Sequence, residues 1–76
     1  MNKTRRKQII KAIEMLNAAN DFIESIRSDE EDYMNNIPEN LQNSDRYYIA
    51  DEAVSNLEDA ISDIESAIEN LENASI

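Results

Sequence analysis

Apolar residues in the first half of the chain recur at alternating spacings of three and four. Ile9, Ala12, Leu16, Ala19, Ile23 and Ile26 form a heptad seam, and Ile13, Met15 and Phe22 broaden it on its flanks. That spacing winds an apolar stripe along one face of an α-helix. The second half contains a seven-residue repeat in three copies, beginning at Ala53, Ala60 and Ala67. Each copy supplies Ala, a β-branched residue and Leu or Ile on one face, with polar or acidic residues elsewhere. The spacing predicts a helix over about residues 2–35 and another over about 44–74.

Between them, about residues 36–43 read as a turn. The chain has no Gly and a single Pro, Pro38, so Pro38 is the natural boundary. Asn35 and Asn36 suit a helix end, and Ser44-Asp45 suits the next helix start. A competing boundary at Ser28-Asp29-Glu30-Glu31 resembles a capping box, but similar patterns recur inside the obvious repeat, so helix one is expected to run through it.

Charge then selects the topology. The net charge is −10; residues 1–27 carry six basic and three acidic side chains, and residues 44–76 carry one basic and nine acidic. Folding back near Pro38 brings Lys3, Arg5, Arg6, Lys7 and Lys11 alongside Glu65, Glu69 and Glu72, which pairs opposite charges. The expected fold is all-α, a long antiparallel helical hairpin forming one domain over residues 1–76. The Ala column at 53, 60, 67 and 74, with Ala12 and Ala19, is expected to line the inside of the hairpin and allow close approach.

That packing leaves Val54, Ile61 and Ile68 on one side and Leu57, Ile64 and Leu71 on the other, more apolar surface than one neighbour covers. Leu, Ile, Val and Phe together number only 17 of 76 residues, and there is no Cys for a disulfide and no His. A chain this small and this charged needs help to fold. Association into a four-helix bundle, with a homodimer as the simplest closed form, is therefore expected. The expected oligomer interface is Ile9, Leu16, Ile23, Leu57, Ile61, Ile64, Ile68 and Leu71.

Catalysis finds little to work with. There is no His, no Cys, no Gly-rich phosphate loop and no nucleophile set beside a base, so the chain is not expected to be an enzyme. No cofactor or metal is expected either, because the acidic run Asp29-Glu30-Glu31-Asp32 lacks calcium-loop spacing and its turn Gly.

The column Asp51, Glu58, Glu65 and Glu72, with Glu69 beside it, projects carboxylates at intervals of about 10 Å along a helix. Such a rod can imitate a phosphate backbone and obstruct a nucleic-acid-binding protein. It equally suits a solvated face that keeps a small protein soluble. The basic N-terminal cluster is neutralised by its acidic neighbour, so direct nucleic-acid binding is not expected. Tyr33, Arg46, Tyr47 and Tyr48 gather near the turn, either as a plug closing the hairpin end or as contacts for a partner.

No run of 18 apolar residues exists and the N-terminus lacks a signal-peptide pattern, so a cytoplasmic protein without membrane association is expected. The turn from Tyr33 to Arg46, with Pro38-Glu39-Asn40-Leu41-Gln42 at its centre, followed by Ala-Ile-x-x-Leu-Glu-type repeats, resembles small uncharacterised helical-hairpin proteins of bacteriophages and Gram-positive bacteria. The resemblance implies a mobile-element setting. Together these readings point to a non-enzymatic module that binds or scaffolds a protein partner. The alternatives are an acidic inhibitor of a nucleic-acid-binding host defence protein, of anti-restriction or anti-CRISPR type, and a virion structural or assembly component.

Overall fold

The computed structural model describes all residues 1–76 and contains two long helices, α1 (Lys3–Asn35) and α2 (Asp45–Ala74), joined by a short turn. Helices of 33 and 30 residues are about 50 and 45 Å long. They fit a rod of 59 × 15 × 12 Å only by lying side by side and antiparallel. α1 runs unbroken through Ser28-Asp29-Glu30-Glu31.

Local chemistry sets the ends. The Asn2 side chain caps α1 by accepting from the Arg5 N–H at 2.8 Å, satisfying one of the free amides of the first turn. At the other end the Asn36 N–H is shared between the Asp32 and Tyr33 carbonyls at 3.0 and 3.2 Å. Asn36 keeps right-handed backbone angles, and no residue of the chain has positive φ, as befits a chain without Gly. Pro38, which cannot continue a helix, is extended and leads into a single 3-10 turn, Glu39–Leu41. Its carbonyl accepts from the Leu41 N–H at 2.8 Å. Ser44 donates its hydroxyl to the Leu41 carbonyl, tying the turn together rather than capping α2.

Only Ile37, Ala50 and Val54 are buried, and all three lie toward the turn end, where α1, the turn and α2 meet. Elsewhere two helices have no interior, and each seam residue is covered from one side. On α1 the half-buried positions are Ile9, Ala12, Ile13, Leu16, Asn20, Ile23, Arg27, Glu30, Glu31 and Met34. The expected seam holds for Ile9, Leu16 and Ile23, with Ala12 half-buried at its edge, but not for Ala19 and Ile26, which are exposed, while Asn20 and Arg27 stand in the seam instead. The inward column is the one in phase with Met34 beside the turn. Arg27 is tolerated there because its aliphatic stem covers apolar surface while its guanidinium reaches Glu24 and Glu31.

The Ala column also lies elsewhere than expected. On α2 the seam is Tyr47, Ala50, Val54, Leu57, Ile61, Ile64, Ile68 and Leu71, with Ala53, Ala60 and Ala67 half-buried beside it and Ala74 exposed. Turning two columns of Leu, Ile and Val toward α1 removes more apolar area than turning in Ala would. At about 25 cal/mol per Å² that difference outweighs the closer approach Ala allows.

Candidate interaction faces

The seam divides the rod into two long faces. On α2 one flank carries Asp51, Glu58, Glu65 and Glu72, and the other carries Ala53, Ala60, Ala67 and Ala74. On α1 the corresponding flanks are Ile10, Asn17, Glu24 and Glu31, and Ala12, Ala19, Ile26 and Tyr33. In an antiparallel pair, equivalent heptad flanks of the two helices lie on the same side. One contact marks which meet: the Arg46 guanidinium lies 6.0 Å from the Tyr33 ring centroid, within cation–π range. Arg46 stands one heptad before Ala53, and Tyr33 one heptad after Ile26. Continuing that register along the rod sets Ile26 across from Ala53, Ala19 across from Ala60, and Ala12 across from Ala67.

The result is one apolar face and one acidic face. Along the apolar face two columns of mostly small residues form a shallow strip, and beside it Met15 and Phe22 stand out from the middle of α1. Phe22 is 69% exposed, Met15 63% and Ile26 42%, and Ile49 extends the same side toward the turn. Isolated exposed apolar residues are ordinary, but a contiguous row of this kind marks a contact surface.

The acidic face is equally regular. Asp51, Glu58, Glu65, Glu69 and Glu72 are all exposed, and none has a basic side chain within ion-pair distance. The two ion pairs of the chain, Arg27 with Glu24 and Arg27 with Glu31, both lie within α1, so the expected pairing of Lys3 to Lys11 with Glu65 to Glu72 places opposite charges side by side without direct bridges.

The predicted oligomer-interface residues Ile9, Leu16, Ile23, Leu57, Ile61, Ile64, Ile68 and Leu71 are all half-buried in the seam between the chain's own helices. The leftover apolar surface belongs to Met15, Phe22, Ile26 and the Ala columns. A signal for this was present in the sequence: α1 carries two apolar stripes, one through Ile9, Leu16 and Ile23 and one through Met15 and Phe22, whereas a helix with a single neighbour needs one.

At the turn end the plug is Ile37, buried together with Ala50 and Val54. Tyr47 is half-buried there, while Tyr33, Arg46 and Tyr48 are exposed. The Tyr47 and Tyr48 rings meet edge to face, with centroids 6.1 Å apart at 79°, a favoured aromatic geometry. No three carboxylates converge as a metal site, and the rod has no pocket. Comparison with protein-family models, with curated proteins and with solved structures finds no match.

Proposed function

We propose that this chain is a non-enzymatic helical interaction module, which acts by offering the long faces of a rod to other proteins. The observation that carries this reading is the apolar face, where Met15, Phe22 and Ile26 stand exposed beside two columns of small residues at the centre of the rod. Exposed Phe and Met over a small-residue strip provide knobs and holes for other helices. No helix is long and apolar enough to cross a membrane, and we place the module in the cytoplasm. On the resemblance carried by the Pro38-Glu39-Asn40-Leu41-Gln42 turn, we assign it a bacteriophage setting.

The test is affinity capture from the native cell with two baits, the unaltered chain and the M15E/F22E variant. Both positions are exposed, so the variant is expected to keep its helical circular dichroism. Proteins held by the unaltered chain and lost by the variant support the module. Identical capture by both baits refutes it.

A second reading is favoured by one observation, the unbridged line of Asp51, Glu58, Glu65 and Glu72. On this reading the acidic face mimics a phosphate backbone and occupies the groove of a nucleic-acid-binding protein. Such a grip weakens steeply with salt, whereas an apolar interface hardly responds. Capture repeated at two ionic strengths with the E58Q/E65Q/E72Q variant separates the two readings: loss of the partner with that variant and with salt assigns binding to the acidic face.

A further inference from the structure

We infer that the apolar face is closed by a second copy of the same chain lying antiparallel to the first, so that the two α1 helices pair across a two-fold axis at the middle of the rod, near Ala19. The inference rests on the interaction-module reading and names the occupant of its apolar face.

Three observations converge on it. The first is the arrangement of large and small residues about Ala19. Met15 and Phe22 lie at nearly equal distances on either side of it, as do Ala12 and Ile26. A two-fold axis there sets Phe22 against the partner's Met15 and Ile26 against the partner's Ala12, each contact occurring twice. Large meets small, and thioether meets aromatic ring. An isologous interface must be self-complementary in this way.

The second is charge. The stretch Asp29–Glu52 at the turn end holds eight acidic side chains and one basic, Arg46, whereas Lys3, Arg5, Arg6, Lys7 and Lys11 crowd the open end. Stacking two copies with turn ends together would superpose the most acidic regions. Stacking them antiparallel brings Arg5, which lies on the apolar face, beside the acidic stretch beginning at Asp29 of the second copy, again twice.

The third is the sign of those charges on α1 itself. The first turn of α1 has no acidic residue and the last turn no basic one; instead Lys3, Arg5 and Arg6 sit at its positive end and Asp29 to Asp32 near its negative end. Both groups oppose the helix macrodipole. Within the hairpin α2 matches the basic end with Glu65, Glu69 and Glu72 but sets Asp45, Asp51 and Glu52 beside the acidic one, and an antiparallel second copy brings basic side chains to that end. The face also has the necessary size, since a rod 59 Å long and 15 Å wide offers on the order of 800 Å² per copy, the area of a standard interface.

The experiment uses the full chain, whose lack of Cys makes single-Cys variants unambiguous. Sedimentation equilibrium over the micromolar range is expected to give a dimer. Under mild oxidation A19C is expected to form a disulfide with its own second copy. R5C alone is expected not to, and R5C mixed with Y33C, which the two-fold axis sets across from it, is expected to form a mixed disulfide. Charge reversal supplies the decisive arm: R5E and D29K should each weaken dimerisation by about tenfold, as two exposed ion pairs turn repulsive, and the R5E/D29K double variant should recover it. Each reversal also gives α1 the sign its dipole favours, so a folding defect predicts the opposite trend. A monomer at all these concentrations, a self-crosslinking R5C, or additive rather than compensating reversals would overturn the antiparallel pairing. A monomer whose capture of a cellular protein still depends on Met15 and Phe22 would overturn it while leaving the interaction module intact.

Discussion

Asn20 stands in the seam of α1 where the flanking seam residues are Leu16 and Ile23, and its side-chain oxygen is buried without a hydrogen-bond partner. Leaving a buried acceptor unsatisfied costs about 1–3 kcal/mol. Replacing Asn20 by Leu removes that cost and adds apolar area facing α2. A Leu side chain that becomes half-buried contributes about 1 kcal/mol, half the value for full burial. The N20L variant should therefore be about 2–4 kcal/mol more stable. For a domain of this size each kcal/mol raises Tm by about 4–8 °C, so the melting curve followed by circular dichroism should move up by roughly 10–30 °C. Measuring it at two protein concentrations separates hairpin stability from association, because only the latter depends on concentration. The result that would refute the reasoning is an unchanged or lowered Tm for N20L, which would mean that the oxygen is already satisfied, by solvent or by a second chain. A polar residue in a helical seam also sets register at the expense of stability, so the more stable variant is expected to show a broader distribution of oligomers in sedimentation.

Four further outcomes follow from named contacts. Val54→Ala, which truncates one of three buried residues, should lower stability by about 2 kcal/mol in urea unfolding, several times the effect of a truncation on the exposed acidic face. Asn2→Ala removes the cap on the Arg5 N–H and should cost about 1 kcal/mol, seen as faster amide hydrogen exchange confined to the first turn of α1. Arg27→Leu, which breaks both ion pairs of the chain, should be neutral or stabilising, because exposed pairs within one helix contribute only about 0.3–0.5 kcal/mol each while Leu fits the seam better. Raising the salt concentration should raise Tm, since at net charge −10 screening relieves more repulsion than it removes attraction; a fall in Tm would show that bridges between chains dominate.

The helical architecture was legible because period and punctuation agreed. Three copies of one heptad specify α2, and the single Pro in a chain without Gly leaves one place to turn; the helices end within a residue or two of the positions read from the pattern. The face each helix turns inward was harder to read. On α1 the columns at 12, 19, 26 and at 13, 20, 27 differ by one residue, and counting apolar side chains favours the first because Asn20 and Arg27 interrupt the second. A count of this kind cannot see that Arg27 lays its stem along the seam and sends its charge to Glu24 and Glu31, or that Met34 brings the second column into phase with Ile37 at the turn.

The sequence by itself determined two helices, their lengths, the turn and the antiparallel attraction of the halves, because hydrogen bonding, Pro geometry and net charge act locally or at long range without regard to packing detail. Tertiary structure decided which columns of residues meet. That choice depends on how much apolar area each alternative removes from water when two particular surfaces are pressed together, a quantity that belongs to the pair of helices and to neither alone. It turned the Leu and Ile columns of α2 inward, moved the Ala columns to one edge, and left Met15 and Phe22 standing out beside them.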